Sequence, residues 1–161
     1  MRLFGEIASA QPLTGSGADK LRLWGIGIEV LRPIGETWSA GLRLGYEQER
    51  ERGGGQTERE TAIDAVLLIE PAEDAAVFEF YVGSRRSAGR SRAAWGVDVM
   101  REISDGVSLG IEFVGGRGQR PNTQARIEFE ITDQWSLHLS AGRGRDGRVS
   151  AIGIEYALPL R

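Results

Sequence analysis

The chain has 161 residues, 40% of them hydrophobic, which is enough for one domain with a sizeable core and is not typical of a disordered protein. It has no cysteine, which excludes disulfides, thiolate metal sites and cysteine nucleophiles. The net charge of -3 argues against general binding of nucleic acid. No apolar run reaches the roughly 18 residues of a transmembrane helix, and the N-terminal segment has no signal-peptide core.

Short alternating segments dominate the chain and predict an all-β fold. In each segment bulky apolar residues take every second position and small or charged residues lie between them, which is the period of a half-buried strand. The segment from Trp38 to Tyr46 and the segment from Trp135 to Ala141 are the clearest. The pattern predicts about ten strands, in chain order at 3–10, 21–30, 38–46, 61–69, 78–82, 93–99, 107–113, 124–131, 135–142 and 151–158.

Consecutive strands joined by turns predict an antiparallel up-and-down meander. A meander of this length is best stabilised by closing into a barrel, because closure removes the exposed edges. We therefore expect residues 1–161 to form a single β-barrel domain. If its apolar faces point outward, it is a membrane barrel. If they point inward, it is a soluble lipocalin-like barrel that binds an apolar ligand.

The charged face of the strands is rich in glycine, which indicates that this face is the interior. Gly25, Gly41, Gly96 and Gly110 lie on it. Glycine weakens a solvent-exposed strand, but inside a small barrel it leaves room for curvature and long side chains. The predicted lumen-lining residues are Glu29, Arg43, Glu47, Asp98, Glu112, Arg126, Glu128, Glu130, His138 and Glu155. We expect arginine–carboxylate networks among them, and their excess of acid favours cations in any open pore.

Aromatic residues at the ends of the apolar stripes favour a lipid-facing exterior. Two aromatic girdles around an aliphatic band are typical of barrels that cross both bilayer interfaces. The predicted lipid-interface residues are Trp24, Trp38, Trp95, Trp135 and Tyr156. The stripe length agrees with the roughly nine to eleven tilted residues that a transmembrane strand needs.

The connections between strands differ in length and charge at the two predicted ends. Those at 33–36, 71–75, 104–106 and 132–134 are short and mostly acidic, whereas longer, arginine-rich loops are expected at the other end. We interpret that end as an extracellular rim for anions and lipid phosphates, because guanidinium pairs well with phosphate. Solubilising loop charge explains the same residues equally well. The predicted rim residues are Arg85, Arg86, Arg90, Arg117, Arg120, Arg143 and Arg145.

The C-terminal segment 153–158 reads Gly-Ile-Glu-Tyr-Ala-Leu. A glycine followed at spacings three and five by aromatic or hydrophobic residues is similar to the signal read by the outer-membrane assembly machinery. The turns before Trp38 and Trp135 are similar to periplasmic turns. The chain thus resembles the small bacterial outer-membrane β-barrel proteins of the porin-like superfamily, although it ends in Pro159-Leu160-Arg161 rather than in an aromatic residue.

The resemblance implies a bacterial outer-membrane location, with the signal peptide absent from this chain. It also implies membrane lipid, lipopolysaccharide and the assembly machinery as partners. Small ions or solutes join them if the barrel conducts.

A catalytic alternative rests on the single histidine. His138-Leu139-Ser140 is similar to the His-x-Ser motif of outer-membrane lipid A deacylases, and Glu155 is the candidate orienting carboxylate. These residues lie on the predicted lumen face, which acyl chains do not easily reach, so we assign no catalytic residue. One histidine without cysteine indicates no metal site, and no cofactor is expected.

The sequence therefore predicts an all-β, antiparallel up-and-down transmembrane β-barrel in a bacterial outer membrane. Its expected role is that of a narrow pore or a structural membrane component rather than an enzyme. The soluble lipocalin-like barrel is the alternative.

Overall fold

Ten antiparallel strands form a closed barrel in the computed structural model. The structure describes residues 2–12, 21–50, 57–71, 75–116, 121–144 and 147–159. The strands are β1 (Arg2–Pro12), β2 (Leu21–Pro33), β3 (Trp38–Arg50), β4 (Thr57–Ile69), β5 (Val77–Ser87), β6 (Arg90–Ser104), β7 (Val107–Gly116), β8 (Asn122–Thr132), β9 (Trp135–Gly144) and β10 (Gly147–Pro159). The predicted fold class is confirmed. Within these residues no helix is long and apolar enough to cross a membrane.

The first and last strands close the barrel with an unbroken register. β1 pairs with β10 from Arg2 opposite Pro159 to Pro12 opposite Val149. Every other strand pairs with its neighbours in the chain, so each described strand has a partner on both sides. Closure of this kind leaves no edge strand to aggregate.

The strands extend further toward the basic end than the sequence pattern predicted. β5 continues to Ser87 and β6 begins at Arg90, so only Ala88 and Gly89 connect them. These two residues have φ values of 49° and 76°, which is the geometry of a two-residue hairpin turn. The predicted arginine-rich loop at 85–92 is therefore wrong, because most of it is strand.

The apolar faces of the strands point outward and the charged faces point inward. Leu42, Ile63 and Val82 are 59%, 59% and 62% exposed, whereas Glu29 and Asp64 are 4% and 1% exposed. A soluble barrel needs the opposite arrangement, since water would contact its outer face and an apolar ligand its cavity. The structure thus does not favour the lipocalin-like alternative.

Candidate functional site

The inward faces of the strands enclose a polar cavity of about 450 Å³. Its wall carries eight carboxylates and three guanidinium groups, contributed by Glu29, Glu47, Asp64, Glu79, Asp98, Glu112, Glu128, Glu155, Arg43, Arg85 and Arg126. A smaller cavity of about 230 Å³ lies at the end that carries the short turns, and Glu102, Glu130 and Asp133 are among its lining residues. Acidic groups therefore outnumber basic ones in the lining of both cavities.

The predicted lumen residues occupy these two cavities and the wall beside them. Glu29, Arg43, Glu47, Asp98, Glu112, Arg126, Glu128 and Glu155 line the larger cavity. Glu130 lines the smaller one. His138 is 5% exposed and lies in β9 opposite Glu128 of β8 and Gly153 of β10.

One side of the lumen is built around Arg43 in β3. Its Nη2 lies 2.5 Å from Glu29 Oε2 and 2.8 Å from Glu79 Oε1, and its Nε donates a hydrogen bond of 2.8 Å to Glu29. Glu29 stands directly opposite Arg43 in the β2–β3 register. One guanidinium group thus serves two carboxylates from different strands, an arrangement that suits its fixed fork of donors.

A second guanidinium group, that of Arg85, extends this network toward the basic end. Arg85 pairs with the buried carboxylate of Asp64, and its Nε lies 3.8 Å from Glu60 Oε1. Arg92 Nη2 lies 2.6 Å from the other oxygen of Glu60. The sequence pattern did not predict the ion pair of Arg85 and Asp64.

Tyr81 lies between the two arginines. Its ring centroid is 5.9 Å from the guanidinium carbon of Arg43 and 5.6 Å from that of Arg85, within the range of cation–π attraction. Gly96 stands opposite Tyr81 in β6, and a Cβ there would overlap the phenol ring. The sequence analysis gave Tyr81 no role, although a large aromatic residue opposite a glycine on the next strand is the pattern that could have identified it. We call the network of Glu29, Arg43, Glu60, Asp64, Glu79, Tyr81, Arg85 and Arg92 the arginine wall.

The remaining side of the lumen, from β6 to β10, contains far less positive charge. We call Asp98, Glu112, Glu128, Glu155 and Arg126 the acidic wall. Arg126 Nη2 lies 2.6 Å from Glu128 and 3.3 Å from Glu155. Within the described part of the chain, the buried Oδ1 of Asp98 has no hydrogen-bond partner.

A row of three carboxylates joins the two walls. Glu79, Asp98 and Glu112 stand directly opposite one another on β5, β6 and β7. Glu112 accepts hydrogen bonds from the side-chain amide of Gln124 and, at 3.3 Å, from the hydroxyl of Tyr81. Like charges directly opposite each other repel. The row therefore concentrates negative charge in the wall of the lumen.

The predicted interface residues lie on the outer face as far as their side chains are described. Trp38, Trp95 and Trp135 are 44%, 39% and 46% exposed. Tyr156 packs on Trp135 with ring centroids 4.7 Å apart and an angle of 49° between the planes. The side chain of Trp24 lies outside the described residues.

The predicted rim residues divide between the two faces of the barrel. Arg85 is wrong as a rim residue, because the continued alternation of β5 turns its side chain into the lumen toward Asp64. Arg86, Arg90 and Arg143 are exposed near the basic end, and Arg86 shares the outward parity of Val82. Arg117, Arg120 and Arg145 lie outside the described residues.

The residues of the deacylase alternative also lie inside the barrel. His138 is buried on β9, and Glu155 stands opposite Ser136 and pairs with Arg126. Acyl chains in a bilayer would contact the outer face of β9. Leu139 lies on that face and is 42% exposed. The arrangement gives these residues no contact with lipid.

Solved porins share the fold. The KdgM porin, solved in complex with disordered oligogalacturonate, is similar with a TM-score of 0.64 at 7% identity, and the match covers 99% of this chain and 100% of that one. An outer-membrane channel from Pseudomonas putida F1 is similar with a TM-score of 0.53 at 10% identity, covering 98% of this chain and 95% of the channel. The predicted resemblance to porin-like outer-membrane β-barrels is thus confirmed at the level of the fold.

The sequence itself identifies the family. No curated protein sequence matches the chain. The family profile described as the TamB C-terminal domain matches residues 15–158, which is nearly the whole chain. The chain therefore belongs to the TamB C-terminal domain family.

Proposed function

We propose that this barrel lies in a bacterial outer membrane and forms a narrow pore for small cations. The carboxylate row of Glu79, Asp98 and Glu112 is the observation that carries the proposal, since it borders a cavity of about 450 Å³. Carboxylates along a confined, water-filled path raise the local concentration of cations and repel anions.

The outer surface supports the membrane location. Outward-facing aliphatic and aromatic side chains surround the barrel, and those of Ile28, Leu44, Ile111 and Ile154 are 42–52% exposed. A closed barrel satisfies its backbone hydrogen bonds within the wall, which is the requirement for crossing a bilayer with strands. Membrane lipid is therefore the first expected partner, and the C-terminal segment 153–158 is the proposed recognition element for the assembly machinery.

The exposed arginines at the basic end form the second part of the proposal. Arg86 and Arg143 have the same outward parity as the apolar residues of their strands and stand beyond them. Lipid phosphates, including those of lipopolysaccharide, would lie at this level. Arg90 and Arg92 belong to the inward face of β6, and Arg92 is paired with Glu60.

A structural barrel without conduction is the second candidate. The observation that favours it is the arginine wall, because Arg43, Tyr81 and Arg85 project into the lumen and narrow it. In that case the arginine network would serve only to hold the strands together.

Planar-bilayer recording in a potassium chloride gradient separates the two candidates. We expect current steps whose reversal potential lies between zero and the equilibrium potential of potassium. The variant Asp98→Asn/Glu112→Gln should move this reversal potential toward zero. Glu36→Gln removes one charge from an exposed turn outside the lumen and is the matched control. Folded protein without current steps would leave the structural role, and equal permeability to potassium and chloride would contradict the cation preference.

A further inference from the structure

The apolar belt on the outer face is shorter than the strands that carry it. β4 has 13 residues, but its outward apolar positions extend only over 63–69. The next two outward residues toward the basic end, Thr61 and Arg59, are exposed and polar. Nearly half of this strand therefore presents a polar outer face.

The belt is narrower on β5 than on the two strands beside it. On β5 it covers only 78–82, and the exposed Ser84 and Arg86 follow. On β6 it covers 93–99, and toward the short turns the exposed Arg101 interrupts it before the exposed Ile103. Arginine thus interrupts the belt on this hairpin near the short turns, and polar residues follow it at the basic end.

The length of the belt converts into a thickness along the membrane normal. Seven strand residues span about 20 Å at roughly 3.3 Å per residue, and a tilt of about 40° reduces this to about 15 Å. The five residues on β5 give about 10 Å by the same geometry. Transmembrane barrels usually present an apolar band about 25 Å tall. The nine-residue stripe of β3 at 38–46 gives about 20 Å by the same geometry. The belt on β4, β5 and β6 is therefore shorter than the roughly nine to eleven residues that the stripe length predicted.

The ends of the belt are marked by side chains that resist burial in hydrocarbon. Trp95 packs against Gly115 at one end, and Trp38 and Trp135 lie at the other. Tryptophan favours the headgroup level, and arginine on a lipid-facing position is costly near the middle of a bilayer. The lipid must therefore adapt to the belt, because moving the barrel along the membrane normal would bury these side chains in hydrocarbon.

We propose, given the membrane location proposed above, that this barrel thins the bilayer around it, most strongly beside β5. A belt shorter than the hydrocarbon layer is accommodated by local thinning of the lipid. The lipid that fits the belt without distortion is a phospholipid with short acyl chains.

Deuterium NMR of chain-deuterated phosphatidylcholine tests this proposal with the whole chain reconstituted in vesicles above the lipid melting temperature. We expect the protein to lower the chain order of dipalmitoyl bilayers and to leave dilauroyl bilayers nearly unchanged. Ser91 is the exposed outward residue of β6 next to Ala93. The variant Thr61→Val/Ser84→Val/Ser91→Val extends the belt by one outward position on each of β4, β5 and β6 and should reduce the loss of order in dipalmitoyl lipid. The matched control Thr61→Ser/Ser84→Thr/Ser91→Thr keeps these positions polar and should behave as the wild type.

The outcomes separate this proposal from the proposed function. Unchanged or increased order in dipalmitoyl lipid around inserted wild-type protein would overturn the thinning and leave the pore intact. Insertion is measured independently by heat-modifiable migration on a gel, and a chain that inserts into none of the vesicles would overturn both proposals. If the lengthened variant does not fold, the wild-type series still decides, because the dependence on acyl-chain length is itself the prediction.

Discussion

The two sides of the lumen differ in how their charges are matched. In the arginine wall Glu29, Glu79 and Asp64 each have a guanidinium partner. In the acidic wall Arg126 pairs with two glutamates. Each wall has a buried carboxylate oxygen without a hydrogen-bond partner in the described part of the chain, Asp64 Oδ2 in the arginine wall and Asp98 Oδ1 in the acidic wall. Both walls are made by the same alternation of inward and outward residues.

The register between neighbouring strands, and not the alternation along each strand, therefore decides which charge pairs stabilise this barrel and which destabilise it. Opposite charges across neighbouring strands hold the strands together, as Arg43 and Glu29 do. Like charges across neighbouring strands destabilise the wall, as Asp98 and Glu112 do. A feature that weakens the fold and lies in the lumen is expected at a functional site.

Removing the central arginine of each wall gives the largest expected effect. Arg43→Met leaves Glu29, whose side chain is 5% exposed, without its guanidinium partner, so we expect a loss of about 3 kcal/mol in the free energy of unfolding. Arg126→Met leaves carboxylates that are only partly buried, and we expect about 1 kcal/mol. Urea unfolding in lipid vesicles, followed by tryptophan fluorescence, measures both. Equal losses would show that the two walls contribute equally to the free energy of unfolding, which would contradict the proposed difference between them.

Filling the space under Tyr81 should have the next largest effect. A methyl group at Gly96 would overlap the ring that both arginines contact, so Gly96→Ala should cost about 2 kcal/mol. The matched control is Gly45→Ala, because a Cβ there would lie 3.6 Å from that of Ala62, an ordinary contact. The same urea titration applies.

A second variant tests the cause of the Gly96 effect. Gly96→Ala combined with Tyr81→Leu removes the ring and should cost less than the sum of the two single substitutions. If the costs simply add, the overlap with the ring is not the reason for the glycine.

Most of the fold could be predicted from the sequence. Period-two alternation from Trp38 to Tyr46 or from Trp135 to Ala141 identifies a strand and its two faces at once. Short turns with glycine, aspartate and proline separate the strands, and closure follows from the need to remove edges. These signals are local, so one sequence is sufficient to detect them.

The ends of the strands and the pairing of lumen charges could not be predicted in the same way. At 85–92 repeated arginine resembled a solvated loop, although Ala88 and Gly89 alone form the turn. Which carboxylate meets Arg85 or Arg43 depends on the register between strands and on side-chain length, neither of which leaves a local pattern. The sequence predicted arginine–carboxylate networks in the lumen without their partners.

The smallest expected effect comes from a hydrogen bond that links the two walls. Tyr81→Phe keeps the ring between Arg43 and Arg85 and removes the hydroxyl that donates to Glu112 at 3.3 Å. Because this bond is long, we expect a loss of at most about 1 kcal/mol in the free energy of unfolding.

A double-mutant cycle of Tyr81→Phe with Glu112→Gln measures the coupling through this bond, and Tyr81→Phe with Glu36→Gln is the control pair, since Glu36 lies in an exposed turn outside the lumen. The phenylalanine variant should also conduct potassium at least as well as the wild type, because Glu112 loses a donor and keeps its charge. A fall in potassium conductance without loss of folding would mean that Tyr81, and not the carboxylate row, controls the passage of cations through the lumen.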